Sequence, residues 1–240
     1  MFDVIILGAT FAAAGLAQHY KQDCLVIEAS HRAGYEFYGT LQEFPLDTYL
    51  PKQPAACALR EKLMQMPVIH GSHPAIYPYF QDCHIRFGTQ VAAIRREKTG
   101  FFCTVHGSQG FVTYQAKTIV DTRCSDAISQ SKTYNFLMES PALPAFSGAI
   151  CKETAVPGRY LVQCQLPCDC DFPQARNAML AIMEQFTPQQ RLILSADVFD
   201  YRVQPGDPQT REGIVYFPSK AYESPVHAME AGQQLGGSGL

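Results

Sequence analysis

Hydrophobic and polar positions follow distinct patterns along the first third of the chain. A continuous apolar run, DVIILG, ends at Gly8 and predicts a strand that is buried on both faces. The next segment, FAAAGLAQHY, consists largely of small residues and predicts a helix packed closely on a sheet. CLVIEAS predicts a second buried strand, and ACALREKLMQM has helical periodicity after a long polar stretch. The chain therefore opens with a β-α-β unit.

From His84 onward the pattern indicates mainly short strands. HIRFGTQVAAIRRE, GFFCTVHG and GFVTYQAKTIVDTR predict three strands, with turns at KTG and GSQG. Three further strands are predicted at FSGAICKE, GRYLVQCQL and LILSADVFDYRV. Between the last two, FPQARNAMLAIMEQF predicts a helix with Asp171 as its N-cap and Pro173 in its first turn.

The last part of the chain returns to an α/β pattern. GIVYFP predicts a short strand, SKAYES a loop and PVHAMEAGQQLG a helix, with GGSGL as a flexible tail. No internal repeat is visible. This order predicts a discontinuous nucleotide-binding domain, 1–128 and 213–240, interrupted by a β-rich region at 129–212 that serves substrate binding or protein interaction.

Composition narrows the classes of function. The chain is 47% hydrophobic and 17% charged, with a formal net charge of −3, so nothing indicates a nucleic-acid face or a polybasic membrane patch. The longest apolar run is too short to span a bilayer. Nine scattered cysteines do not form the pattern of a disulfide framework and favour a reducing compartment. We therefore expect a cytoplasmic protein.

The turn between the first strand and helix has part of a dinucleotide-binding fingerprint, in which G-x-G-x-x-G reads here as Gly8, Thr10 and Ala13. Gly8 allows the sharp turn, and Ala13 is small enough for close helix–strand packing. Thr10 replaces the glycine that lets a pyrophosphate approach, although its hydroxyl is able to donate to a phosphate oxygen. Glu28 ends the second strand, about twenty residues after Gly8, where an acid accepts hydrogen bonds from ribose hydroxyls.

Four further segments resemble FAD-dependent oxidoreductases of the glutathione-reductase-like class, of which this would be a short member. ASHRAGYEF resembles the segment that faces adenosine and pyrophosphate, and RFGTQVAAIRRE the strand that contacts adenine. AKTIVDTRCSDA resembles the segment that closes over the diphosphate, with Arg123 where a glycine is expected. GIVYFPSKAYESPVHAMEAGQQLG resembles the closing strand–loop–helix, whose helix N-terminus points at the flavin. The resemblance covers about residues 1–40, 84–128 and 213–236.

The resemblance implies a fold class and a cofactor. The fold is α/β: a Rossmann-like FAD-binding domain with a central parallel sheet and a three-stranded β-meander, plus an inserted β-rich substrate or interaction region. The motif and the resemblance together place FAD-binding positions at Gly8, Thr10, Phe11, Ala12, Ala13, Glu28, Ala29, Arg32, Gly34, Val91, Asp121, Thr122, Arg123, Ser224, Pro225 and Val226.

Candidate catalytic residues lie near the last helix. Its positive dipole end would stabilise a reduced, anionic flavin. His227, on its first turn, either acts as a base or only hydrogen-bonds nearby backbone. Tyr222 either shapes the pocket or is a packed aromatic residue, and packing is the favoured interpretation.

Other candidate sites are less favoured. His70 and His73 share a loop but lack a third metal ligand, so a polar loop that lines a cleft is preferred. Cys164, Cys168 and Cys170 have neither zinc nor ferredoxin spacing, and we interpret them as structural thiols. No metal site is predicted. Cys124 is a reactive thiol only if Arg123 lowers its pKa.

Three functions remain open. The first is an FAD-dependent oxidoreductase that oxidises a small organic substrate by hydride transfer to flavin. The second is an FAD-binding or degenerate subunit of a hetero-oligomeric flavoenzyme, which needs a partner chain for activity. The expected protein association is therefore either with such a partner subunit or with copies of the same chain. The third, an NAD(P)-binding protein, is disfavoured because a simple NAD domain would lack the closing strand and helix.

Overall fold

A computed structural model of the chain describes residues 1–44, 46–66 and 73–239, with only the backbone described at residue 73. The strands, β1 to β13 in chain order, are Phe2–Leu7, Cys24–Ile27, His84–Arg86, Gln90–Glu97, Gly100–Gly107, Gly110–Asp121, Ser129–Glu139, Ala149–Glu153, Arg159–Leu166, Arg191–Ser195, Asp200–Val203, Gln209–Arg211 and Ile214–Tyr216. The helices, α1 to α5, are Phe11–Tyr20, Tyr35–Tyr38, Pro54–Met64, Phe172–Met183 and Pro225–Ser238. None of these helices is long and apolar enough to cross a bilayer.

The chain divides into two compact units, each of which is discontinuous. The first comprises Met1–Tyr35, Phe44–Arg123 and Pro205–Leu240. The second comprises Glu36–Glu43 and Cys124–Gln204.

The first unit is built on a sheet in the order β12-β13-β6-β1-β2-β3. Strands β13, β6, β1, β2 and β3 run parallel, and β12 is antiparallel to β13. Strands β4 and β5 pair antiparallel with each other, and β5 pairs with β6, which makes the three-stranded meander. The predicted α/β fold class, with its central parallel sheet and meander, is confirmed. Strand β1 is central, and its residues Val4 to Leu7 are almost completely buried, as its apolar run predicts.

The segment HIRFGTQVAAIRRE is two strands, so the prediction of a single strand there is wrong. β3 pairs parallel with β2, whereas β4 pairs antiparallel with β5. The chain changes direction at Gly88, which has a φ of +59° and whose N–H donates to the Ser30 carbonyl. A glycine adopts this left-handed conformation readily, so it is the natural break between the two strands.

Helices α1 and α5 of the first unit touch backbone to backbone. A Cβ atom on Gly15 would lie 1.9 Å from the carbonyl oxygen of Met229, and one on Gly232 would lie 2.0 Å from that of Ala12. No side chain fits at either position. The small-residue pattern of the first helix therefore serves contact with α5 as well as with the sheet.

The second unit is a five-stranded antiparallel sheet with β7 at its centre. Its order is β10-β7-β9-β8, and β11 also pairs with β7. Helix α4 packs Ala175, Met179 and Ile182 into the apolar core of this unit. Asp171 caps α4 as predicted, and its carboxylate and the Gln174 side chain form a capping box.

Strand β7 is the main element that the sequence pattern did not predict. Its central stretch is buried, but the buried positions include the polar residues Lys132 and Asn135, which interrupt the apolar pattern. Strand β12, a short exposed strand, was also not predicted. The segment LILSADVFDYRV is two strands rather than one, because β10 and β11 pair with different stretches of β7.

The closing glycines are helical, so the prediction of a flexible GGSGL tail is wrong for residues 236–238. Helix α5 continues to Ser238. Gly236 is buried against His19 of α1, where a Cβ atom would lie 2.8 Å from the Cβ of His19. Contact with α1 therefore carries the helix through residues of low helical propensity.

We expect Gly15→Ala to destabilise the protein by about 3 kcal/mol, because the added methyl group must separate two helix backbones. Urea unfolding measures the change. Gly237→Ala is the matched control on α5, since a Cβ atom there meets nothing within 4 Å. The control should stabilise by about 0.5–1 kcal/mol through helix propensity. Equal effects of the two substitutions would contradict the proposed contact.

Candidate functional site

The predicted cofactor residues at the end of β1 form a tight turn around Gly8. Gly8 has a φ of +94°, and a Cβ atom there would lie 2.7 Å from Cγ of Arg123. Thr10 is the N-cap of α1: its hydroxyl accepts from the Ala13 N–H at 3.1 Å and donates to the Thr122 hydroxyl at 2.8 Å. Both hydroxyls are buried, so the turn is closed by hydrogen bonds within the chain.

The first N–H groups of α1 are also engaged. Ala12 donates to the hydroxyl of Ser219 at 3.3 Å, and the Ser219 N–H donates to the Thr122 carbonyl at 2.9 Å. Ser219 is completely buried in the 3-10 turn Ser219–Ala221. The sequence analysis did not predict a role for Ser219. Its position just after the closing strand was the feature that could have indicated one.

Glu28 bridges the turn and the end of β2. One carboxylate oxygen accepts from the Ala9 N–H and the other from the Ser30 N–H, each at 2.7 Å. Each carboxylate oxygen has a second lone pair, so Glu28 retains acceptor capacity. The side chain is half-buried at the carboxyl ends of the parallel strands, where ligands bind in open α/β sheets.

The segment after Glu28 turns back toward α1. Gly34 has a φ of +72°, and its N–H donates to the Ala9 carbonyl at 2.7 Å. Arg32 is exposed with its guanidinium over the Tyr35 ring, and Ala29 is also exposed. Gly34 therefore contacts the turn directly, whereas Arg32 and Ala29 are exposed residues of the same segment.

Arg123 brings a positively charged side chain to the turn. Its guanidinium makes a bidentate ion pair with Asp121, with Nε–Oδ1 and Nη2–Oδ2 distances of 2.9 and 2.7 Å. Hydrogen bonding to Asp121 is the main cause that raises the pKa of Arg123 above its ordinary value. Asp121 and Arg123 flank Thr122, whose hydroxyl donates to the Leu7 carbonyl at 2.9 Å and so fixes the end of β6 beside the turn.

Val91 lies elsewhere, on the meander. It stands opposite Val105 in the β4–β5 ladder and packs against the apolar cluster of that sheet. The structure therefore brings the residues of the turn, the β2 end and the β6 end together, while Val91 belongs to the β-meander.

The first turn of α5 is closely packed around His227. Ser224 is the N-cap, and its hydroxyl accepts from the His227 N–H at 3.2 Å, while Pro225 and Val226 are buried. The His227 ring stacks on Tyr49 with a centroid distance of 4.1 Å and contacts the edge of Tyr222 at 5.0 Å.

The electrostatics of this site keep the imidazole neutral. Burial lowers the pKa of His227, although Glu223 and Glu230 oppose the shift. Its Nδ1 atom is buried and has no hydrogen-bond partner among the described residues. Burial raises the pKa of Tyr222 to about 12, with a smaller contribution from Asp207. At neutral pH His227 is therefore uncharged with one ring nitrogen as an acceptor, whereas Tyr222 stays protonated.

Glu230 is a buried carboxylate that sequence reasoning missed. It lies on α5 with only 1% of its surface exposed, and it accepts from the Tyr49 hydroxyl, the Lys52 N–H and, at 2.6 Å, the Gln53 N–H. Burial raises its pKa, but these hydrogen bonds outweigh burial and hold the pKa below the ordinary value. An acidic residue among the small residues of α5 was the sequence feature that could have indicated this buried carboxylate.

The other sequence candidates lie apart from this cluster. Cys164 and Cys170 belong to the core of the second unit, and the Cys168 thiol lies near the carbonyls of Ser129 and Gln130. Cys124 is half-buried. Across the described part of the chain, no group of three or more His, Cys, Asp or Glu side chains is placed to hold a metal ion. His70 and the side chain of His73 lie outside the described residues.

No known protein-family model matches the chain, and no curated protein matches its sequence. Solved structures do match. An anhydrotetracycline hydroxylase from Streptomyces rimosus aligns with 97% of this chain and 59% of its own, at 11% identity and a TM-score of 0.58. Aklavinone-11 hydroxylase, in a ternary complex with FAD and aklavinone, aligns with 90% of this chain and 56% of its own, at 11% identity and a TM-score of 0.52.

A glycine oxidase from Geobacillus kaustophilus aligns with 98% of this chain and 93% of its own, at 13% identity and a TM-score of 0.55. The chain spans less than two thirds of the length of the two hydroxylases. At these identities the likeness concerns the fold. The chain shares the α/β fold of these enzymes.

We expect Glu230→Gln to destabilise the protein by about 2 kcal/mol at neutral pH, because hydrogen bonds to a charged acceptor are replaced. The folded-state pKa of Glu230 lies below its unfolded value. Its contribution is therefore complete above the unfolded pKa, near 4.3, and is lost as the pH falls through the folded pKa.

Urea unfolding of both proteins across the acid range checks this. The stability difference between wild type and Glu230→Gln should shrink as the pH falls, whereas the exposed control Glu61→Gln should show almost none at any pH. A difference that is constant with pH would exclude the carboxylate as its source.

Proposed function

We propose that the chain is an FAD-dependent oxidoreductase of the glutathione-reductase-like class, which oxidises a small organic substrate by hydride transfer to flavin. The observation that carries the proposal is the flavoprotein fold, in which the Gly8 turn, Glu28 and the end of β6 meet at the carboxyl edge of the parallel sheet. The same edge is where nucleotides bind in this type of sheet.

Glu28 is the proposed ribose ligand. Its carboxylate is held in place by the N–H groups of Ala9 and Ser30, so it does not lose side-chain entropy on binding. Its remaining lone pairs are able to accept from two hydroxyl groups. Ala29, Arg32 and Gly34 line the proposed adenosine side of the site, with Val91 on the meander at the proposed adenine contact.

Arg123 is the proposed counter-charge for the diphosphate. In a helix-N-terminus site the free N–H groups of the first turn bind phosphate. Here the N–H groups of Ala12 and Ala13 are engaged by Ser219 and Thr10. The Arg123 side chain passes directly beside Gly8 through its Cγ atom, and its guanidinium fits an anion at the turn, because charge-assisted hydrogen bonds to phosphate are strong. Phe11, Asp121 and Thr122 complete this part of the proposed site.

The first turn of α5 is the proposed flavin end, formed by Ser224, Pro225 and Val226. FAD, when bound, supplies the hydride acceptor. His227 fits a site that receives a substrate proton, because its imidazole is neutral and its buried Nδ1 atom lacks a partner among the described residues. Tyr222 and Tyr49 hold the ring in its orientation by edge and face contacts.

In this proposal residues 1–128 and 213–240 bind FAD, and residues 129–212 contact the substrate or a protein partner. The protein is proposed to act in the cytoplasm on a small molecule.

A second candidate is a flavoprotein subunit that needs a partner chain. It is favoured by the edge strand β10 of the second unit, where Ile193 and Leu194 are 40% and 49% exposed. Exposed apolar side chains on a strand edge favour association. Turnover by the isolated chain would exclude this candidate, and turnover only with a partner would support it.

Both candidates are proposed to bind FAD, so uptake of the cofactor tests the property that they share. We expect the purified protein to show the visible absorption bands of oxidised flavin, either directly or after addition of FAD. Glu28→Ala should weaken FAD binding about tenfold or more, because hydrogen bonds from hydroxyls to a carboxylate are lost. Fluorescence titration of FAD measures the dissociation constant.

Because Glu28 also orders the turn, urea unfolding must accompany the titration. The exposed Glu61→Ala substitution is the control and should leave the FAD dissociation constant unchanged. A folded wild-type chain that takes up no FAD would contradict the proposal.

Arg123→Ala tests the proposed diphosphate contact. We expect about tenfold weaker FAD binding and a weaker dependence of the dissociation constant on salt, because one cation is removed from the turn. Arg95→Ala, which removes an exposed cation of the meander, is the control. Unchanged or tighter FAD binding by Arg123→Ala would show that Arg123 does not contact the diphosphate.

A further inference from the structure

Two free cysteines of the first unit lie on neighbouring parallel strands. Cys24 is the first residue of β2, and Cys83 immediately precedes β3. Leu25 is paired with His84, so Cys24 and Cys83 are the next positions back along the same ladder. Neighbouring strands lie about 4.8 Å apart, and opposite side chains point to the same face. This separation falls within the Cα–Cα range that a disulfide spans.

The Cys83 thiol is anchored to the backbone. It donates its hydrogen to the Phe80 carbonyl at 3.2 Å. The two thiols also interact, because each shifts the pKa of the other. Together with the strand register, this interaction places the two side chains beside each other.

The environments of the two thiols differ. Cys24 is completely buried, whereas Cys83 is half-buried and follows the exposed residues Gln81 and Asp82. Interaction with the Cys24 thiol lowers the pKa of Cys83, although burial and Asp82 oppose the shift. The same interaction, together with burial, raises the pKa of Cys24. Cys83 is therefore the accessible nucleophile and Cys24 the protected partner.

We propose that Cys24 and Cys83 are a redox-active dithiol that hydrogen peroxide converts reversibly into a disulfide. The Cys83 thiolate attacks one peroxide oxygen, the O–O bond breaks, and the leaving hydroxide takes up a proton to become water. Cys83 is now a sulfenic acid. The Cys24 sulfur then attacks the Cys83 sulfur, the S–O bond breaks and a second water leaves. The two sulfurs together lose two electrons, and peroxide is reduced to two waters.

The bond would join β2 and β3 at the ends opposite Glu28. Glu28 follows β2, and its N–H donates to the Arg86 carbonyl at the end of β3. The disulfide thus adds a covalent link to a strand pair that already carries the proposed ribose ligand at its other end. The proposal rests on the strand register, supported by the interaction of the two thiols, and it holds whether or not the chain binds FAD.

Peptide mapping by mass spectrometry tests the proposal on the full-length chain. The protein is treated with hydrogen peroxide, free thiols are blocked and the chain is digested. We expect a cross-linked peptide pair containing Cys24 and Cys83, lighter by two hydrogen atoms, which disappears after treatment with dithiothreitol. Oxidation of Cys83 to sulfinic acid with Cys24 still reduced, or two reduced thiols, would overturn the proposal.

Two variants sharpen the test. Cys24→Ser should leave Cys83 as a sulfenic acid that dimedone traps, without a cross-link. Cys57 supplies the matched control, because it is also half-buried and its thiol also donates to a backbone carbonyl, that of Pro51 at 3.3 Å. Cys57→Ser should leave the yield of the Cys24–Cys83 cross-link unchanged. A cross-link that depends on Cys57 would overturn the assignment of the pair, and the mapping of wild type stands even if a variant fails to fold.

Discussion

Contact between the backbones of α1 and α5 is the constraint on which the candidate site depends. Glycines at positions 15 and 232 leave no room for a side chain, so the last helix lies directly on the first. This contact places the residues of α5 beside those of α1, which are far away in the sequence. The segment before α5 then places Ser219 against the N-terminus of α1, and α5 itself presents Glu230 to the Tyr49–Gln53 segment. The two ends of the sequence thus build one site.

The Gly8 turn shows how a nucleotide-binding fingerprint can change without loss of the fold. The hydroxyl of Thr10 occupies space that a glycine would leave open and bonds to Thr122 instead. The N–H groups that usually meet a phosphate are satisfied within the chain. What remains at the turn is a guanidinium, held by Asp121, beside a carboxylate at the end of β2. Charge on a side chain is therefore the proposed substitute for the helix N-terminus as the group that attracts the diphosphate.

Much of the first unit could be predicted because β1 and β2 are continuous apolar runs and α1 is a run of small residues. The second unit was harder. Its central strand β7 buries Lys132 and Asn135, whose charges and hydrogen bonds are met only in the folded sheet by Asp126 and the Thr40 carbonyl. Glu230 was missed for the same reason, since its partners come from a distant loop. Local patterns report burial of apolar groups, whereas buried polar groups depend on contacts between distant segments.

The most direct test of the central claim is a crystal structure of the chain grown with FAD. Our account predicts that the ribose hydroxyls donate to Glu28 and that diphosphate oxygens accept from the Arg123 guanidinium, with the Thr10 cap of α1 retained. A structure at saturating FAD in which the turn holds no nucleotide, and in which Arg123 stays paired only with Asp121, would contradict the account. So would a bound FAD whose diphosphate lies on the N–H groups of α1 instead.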